Sequence, residues 1–133
     1  MNDGTTPAPD SRAVRVALWR AMHLTKDAIA ATLREIAALT AGSTFAMTFL
    51  LPIELADPEL RHGLQMAEKG ARASGTPFIS FFTPVEMLRL AREAGFKEVQ
   101  HVSAAVLGER YFAGRTDGLR SPNNTEELLI AKT

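Results

Sequence analysis

The segment Arg110-Tyr-Phe-Ala-Gly-Arg-Thr-Asp-Gly-Leu-Arg120 gathers more chemistry-bearing side chains than any other stretch of this sequence. It holds the chain's one tyrosine together with arginines, an aspartate and glycines. Arg110, Arg115 and Arg120 can hold an anionic group through charge-assisted hydrogen bonds. Tyr111 can orient a hydroxyl or a carboxylate. Asp117 can act as a base or pair with an arginine. A plainer arrangement is equally open, in which Asp117-Gly118 forms a turn and the arginines pair with nearby acids at the surface. The stretch is too polar for a core strand and too broken by glycine for a long helix. It reads as a loop, the kind of segment on which rigid scaffolds carry their binding residues.

Other candidates for chemistry are sparser. There is no cysteine, so thiolate metal sites, thiol nucleophiles and disulfides are excluded. The histidines, His23, His62 and His101, show neither HxxxH nor HExxH spacing, and no metal site is expected. His101 alternates with Val99 on a predicted strand, as a packed or edge residue would. Phe78, Phe81 and Phe82 can wall a hydrophobic pocket or belong to the core under a surface helix. Trp19 and Met22 read as core residues. The sequon Asn123-Asn-Thr has no secretory signal beside it.

The elements that must position these residues follow from end signals and periodicity. Thr25 is an N-cap candidate with Asp27 in the first turn, and Ile29, Leu33 and Ile36 recur at helical spacing before Gly42. Phe45 to Leu51 is an apolar run with two apolar faces, the pattern of a strand covered on both sides, and Pro52 ends it. Asp57-Pro58-Glu59 starts a polar surface helix that runs to about Ser74. Thr83-Pro-Val-Glu86 is a capping-box pattern, followed by Met87, Leu88, Leu90, Ala91 and Ala94 and closed by Gly95. Phe96 to Val102 and Glu127 to Lys132 read as strands. No helix-length apolar segment separates these two, so an antiparallel pairing is expected. Ala13 to Leu24 is either a strand remnant or a helical lead-in. Helices alternating with apolar strands argue for an α/β domain.

The 133 residues suit a single domain, with residues 1–12 as a disordered, proline-bearing tail and 13–133 as the folded part. Fifteen basic residues balance fifteen acidic ones, which removes the electrostatic case for nucleic acid or an anionic membrane as partner. A hydrophobic content of 46% and a mean hydropathy of -0.02 are those of an ordinary globular chain. No apolar run is long enough to span a bilayer, and the first residues lack a signal-peptide core. A cytoplasmic location is the expectation.

Three segments resemble the C-terminal half of the leucine carboxyl methyltransferase-like family of S-adenosylmethionine-dependent O-methyltransferases. Leu24-Thr25-Lys26-Asp27-Ala28-Ile29 resembles the family's "LT.(D/E)A" helix start. Phe81-Phe82-Thr83-Pro84-Val85-Glu86-Met87-Leu88, ending at Ala94-Gly95-Phe96, resembles its "SFF.P.EL" opening of the penultimate helix. The Arg110–Arg120 segment is similar to "RYFAGRADGLR" and is the most specific of the three. The likeness covers roughly Leu24 to Thr133.

It implies the C-terminal part of a doubly wound class I methyltransferase sheet: about three strands with flanking helices, the last two strands antiparallel. It also implies that Tyr111, Arg110, Arg115, Arg120 and Asp117 belong to the substrate-binding cap of such an enzyme. The family binds S-adenosylmethionine in its other half, through a glycine-rich turn after the first strand and an acidic residue after the second. This sequence has no Gly-x-Gly, and Trp19 to Leu24 offers no carboxylate where the family has one. The expectation is therefore a chain that binds no cofactor by itself. Either it is the acceptor side of a split or truncated methyltransferase, or it is a non-catalytic interaction or dimerisation module on the same scaffold. The Phe45–Leu51 strand would then have an unpaired edge, and self-association or a partner chain is expected to cover it.

Overall fold

A computed structural model describes residues 22–120 and 125–133. The expected tail, most of the Ala13–Leu24 stretch including Trp19, and the Asn123 sequon lie outside the described residues. Three of the predicted helices and all three strands are present, and their ends follow the local signals. Helix α1, Lys26–Ala37, starts where the Thr25 hydroxyl accepts from the Ala28 N–H at 3.1 Å. It presents Ile29 and Leu33 to the core. Helix α2, Pro58–Ala73, begins with proline in its first turn and buries none of its residues, so it is the expected surface helix. Asp57 stands at its N-cap position but its side chain makes no capping hydrogen bond.

Helix α3, Pro84–Ala94, carries the complete capping box. The Thr83 hydroxyl accepts from the Glu86 N–H at 3.2 Å, and the Thr83 N–H donates to Glu86 Oε2 at 2.9 Å. Two of the orphan donors of a helix start are thus satisfied reciprocally. Gly95 ends the helix at φ 111, a left-handed conformation that costs glycine nothing. A β-carbon there would also sit 3.8 Å from that of Ala37, so the chain turns back close to the end of α1.

Strands β1 (Thr44–Leu50), β2 (Glu98–Val102) and β3 (Glu126–Lys132) form one sheet in the order β1-β3-β2. The expected antiparallel pairing of the last two strands is present, with His101 opposite Leu129 and Val102 opposite Leu128. β3 also runs antiparallel to β1, with Phe49 opposite Glu127. β1 and β2 point the same way, but β3 lies between them, so no parallel ladder forms.

This corrects the reading of β1 as a strand covered on both sides. Only Phe49 is fully buried in it, and Thr44 and Ala46 are exposed. Its apolar composition marks a strand that has no strand neighbour on its second edge among the described residues.

The core lies on one face of the sheet. Ile29 and Leu33 from α1 and Met87 and Ala91 from α3 pack on Phe49, Leu129 and Ala131, joined by Leu51, Phe82 and Phe96. Leu129, at 0% exposure in the middle of the central strand, is the hub of this cluster. Phe82 is core, but it packs with α1 and α3 rather than under α2. Its ring carries the Lys26 ammonium 4.7 Å above its centre. Phe78 and Phe81 are half-buried.

Candidate functional site

The register places the C-terminal ends of β1 and β2 and the first residue of β3 at the same end of the sheet, since Leu50 pairs with Glu126 and Val102 with Leu128. Open α/β sheets place their ligands beyond the carboxyl ends of co-directional strands, because chain reversals leave a crevice there. The whole Ser103–Arg120 segment is built on this end. It departs from β2 and leads back toward the start of β3.

The expected loop is present from Ala113 to Arg120, but helical turns precede it and take in its first residues. Ser103 caps a short helix, α4 (Ala104–Leu107), its hydroxyl accepting from the Val106 N–H at 3.2 Å. The chain then widens into a π-helical turn over Gly108–Phe112. A π turn is rare and recurs at functional positions, because it re-aims side chains within otherwise helical backbone. Arg110 and Tyr111 belong to this turn, and Tyr111 is 68% exposed. Beyond Ala113 the backbone reverses through Gly114 and Gly118, at φ 78 and 75, where only glycine is free of strain.

Between these glycines Arg115 and Asp117 lock together. Arg115 Nε donates to Asp117 Oδ1 at 3.0 Å, and Nη2 donates to Oδ2. Asp117 Oδ1 also accepts the Leu119 N–H at 3.1 Å, an Asx-type turn. The Arg115 hydrogen bonds, and after them the Leu119 N–H, hold the Asp117 carboxyl below the usual carboxylate range. The same pairing raises the Arg115 guanidinium. A carboxylate so held is a weaker base, so its geometry favours pairing over proton abstraction.

An open groove of about 500 Å³ runs along the segment, walled by Ala104, Ala105, Phe112 and Leu119 and bordered by Arg115 and Arg120. Of the candidate residues, the structure brings Arg115 and Arg120 to one groove, and Asp117 is tied to it through its pairing with Arg115. Arg110 and Tyr111 stand on the π turn, outside the groove lining. Arg120 makes no ion pair among the described residues, whereas Arg115 is already neutralised.

A second cluster at this end was not singled out from the sequence. Glu127 is 5% exposed, a carboxylate inside the core face of the central strand. Its Oε2 accepts from His101 Nε2 at 2.8 Å and from the Ala104 N–H at 3.1 Å. The His101 ring lies 6.0 Å from that of Phe49. A sequence signal existed: Glu127 shares the strand phase of Leu129 and Ala131, so a carboxylate falls where an apolar residue is expected. Its neighbour Glu126 borders a hollow of about 10 Å³, room for one water, shared with Met22, Ile29, Phe49 and Phe82. Desolvation there pushes the Glu126 carboxyl above the usual carboxylate range, although the residue keeps an exposed surface.

Among the described residues no group of three or more acidic or histidine side chains converges as a metal site requires, and no helix is long and apolar enough to cross a membrane. The strand-to-helix junctions at Leu50–Pro52 and Val102–Ser103 contain no glycine. They therefore lack the turn that lets a dinucleotide-like cofactor approach the backbone.

No protein-family model and no curated protein matches the chain. Among solved structures, that of a possible exported protein from Bordetella parapertussis is similar in fold, with a TM-score of 0.53 at 18% sequence identity. The match covers 84% of this chain and 35% of that one, so the chain spans about a third of the length of this neighbour.

Proposed function

We propose that this chain is the acceptor-side portion of an S-adenosylmethionine-dependent O-methyltransferase-like domain, with cofactor binding supplied from outside these residues. The observation that carries the reading is the placement of the Arg110–Arg120 segment. The segment most similar to the methyltransferase family sits over the end of the sheet where ligands of α/β folds bind. The antiparallel β2–β3 pair and the glycine-closed helix α3 support the same reading. In it, Arg120 attracts an anionic acceptor group at the groove and the Arg115–Asp117 pair keeps the segment folded over it, while Arg110 and Tyr111 stand on the π turn outside the groove lining.

The described residues do not fit the cofactor, since among them no glycine stands between a strand and a following helix. Isothermal titration of the chain with S-adenosylmethionine is expected to give no heat of binding. Micromolar binding would overturn the assignment of this chain to the acceptor side.

A second reading rests on β1. Its sequence, TFAMTFL, bears no charge, and its outer edge has no strand partner among the described residues. Such an edge invites strand addition. On this reading the chain is an interaction or dimerisation module on the same scaffold. Sedimentation equilibrium is expected to show self-association, and a monomer at moderate concentration would argue against it.

A further inference from the structure

Gly108 is a glycine that the local backbone does not require. It joins α4 to the π turn with helical backbone angles, φ -57 and ψ -48. Any residue adopts these angles, and glycine holds them less well than alanine, because it gives up more conformational freedom on folding. A β-carbon built there meets nothing within 4 Å, so no neighbour excludes a side chain. Gly114 and Gly118 are different, since φ values of 78 and 75 favour glycine in themselves. What Gly108 borders is the groove of about 500 Å³, together with Ala104, Ala105, Phe112 and Leu119. That volume lies within the range of about 300–1,000 Å³ usual for small-molecule sites. A missing side chain leaves such a groove open.

The charges on the groove narrow what would fill it. Its lining carries Arg115, Arg120 and Glu109. Arg115 is committed to Asp117, whereas Arg120 makes no ion pair among the described residues. Arg120 is therefore the cation available to a ligand, and its planar fork suits an anionic group. Glu109 disfavours a second negative charge on the same ligand, and like-charge repulsion of this kind is a source of specificity. The half-buried Phe112 and the 55% exposed Leu119 offer apolar surface for an uncharged body. We propose that the groove binds a small monoanion with a ring-sized apolar body, its charged group anchored by Arg120, and that Gly108 sets how large this body can be. The inference rests on the reading of the groove as an acceptor site, but it concerns binding alone and involves no methyl donor.

The probe is 2-naphthoate, titrated into the full chain by isothermal calorimetry. The chain is expected to bind it, and to bind the neutral 2-naphthylmethanol and the dianion naphthalene-2,6-dicarboxylate more weakly. Arg120→Gln should lower the affinity for 2-naphthoate about tenfold, the loss expected of one charge-assisted hydrogen bond. It should leave the affinity for the neutral alcohol unchanged, which a merely structural arginine would not do. Gly108→Leu should lower the affinity by about tenfold or more, as overfilled sites do, without lowering the melting temperature. Gly63→Ala, at a helical glycine that does not border the groove, should leave it unchanged. A folded Gly108→Leu variant that binds like the parent would overturn the proposal. Should that variant not fold, amide chemical shifts of the unmodified chain decide. They must change at Ala104–Phe112 and Leu119–Arg120, and changes confined to other residues would equally overturn it. Absence of binding at millimolar probe would overturn the inference while leaving the reading above open to an acceptor of other chemistry. Binding of S-adenosylmethionine by this chain would overturn that reading and leave the inference standing.

Discussion

Replacing Glu127 by leucine withdraws the acceptor from two donors at once, His101 Nε2 at 2.8 Å and the Ala104 N–H at 3.1 Å. A buried donor left without its acceptor costs roughly 1–3 kcal/mol, and here two lose it, the Ala104 N–H and the partly exposed His101. Against a total stability of about 5–15 kcal/mol this is a large loss. His101→Leu should cost a similar amount, since it leaves the Glu127 carboxylate with the Ala104 N–H alone. The double replacement His101→Leu/Glu127→Leu removes donor and acceptor together and offers two apolar side chains to Phe49 and Leu129. Only the Ala104 N–H is then orphaned, at roughly 1–3 kcal/mol. The double variant should therefore be more stable than either single one, with a coupling of about 0.5–3 kcal/mol. Urea unfolding followed by far-ultraviolet circular dichroism, analysed as a double-mutant cycle, measures this. Additive costs would refute the reasoning, because they would mean that the two side chains do not depend on each other.

Other expectations concern single positions. Thr83→Ala should cost about 1 kcal/mol, the usual worth of a side-chain N-cap. The Thr83 N–H holds the Glu86 carboxyl below its ordinary value. That contribution is present at neutral pH and lost as pH falls through the lowered value, so a Glu86→Ala deficit in melting temperature should shrink in acid. Glu126 behaves with the opposite sign. Its carboxyl is raised by desolvation, so charging it costs stability as pH rises through the raised value. Glu126→Gln should melt higher than the parent at neutral pH and equally in acid, and a pH series of thermal melts checks both variants. Gly63 lies inside α2, and a β-carbon there meets nothing within 4 Å. Gly63→Ala should stabilise the chain by roughly 0.5–1 kcal/mol in denaturant titrations.

Local signals made the helices legible. Thr25, the Thr83–Glu86 box, Pro58 and Gly95 each act within one or two helical turns, and each stands where its chemistry predicts. Strand identity was legible for the same reason, but strand order was not. β3 separates β1 from β2 through pairings that span much of the chain, and no short-range pattern encodes them. This is why TFAMTFL read as a strand covered on both faces, since apolarity alone does not distinguish a central strand from an edge. At the candidate site, the Arg115–Asp117 lock was one of two arrangements the spacing allowed. The π turn beneath Arg110 and Tyr111 was illegible because helix propensity is silent on a five-residue widening. The His101–Glu127 pair needed the register of β2 on β3, although the phase of Glu127 marked it as out of place.

The position of β3 has a consequence for how the chain is made. Among the described residues β1 and β2 each find their strand partner in β3, which follows both in the sequence. At a synthesis rate of about 5–20 residues per second, β1 waits several seconds outside the ribosome with its uncharged strand unpaired. Helices α1 and α3 can form in that interval from local signals, but the apolar face that they share has no floor until Leu129 and Ala131 arrive. The sheet thus closes late and all at once, and TFAMTFL is the segment a chaperone would have to shield until then.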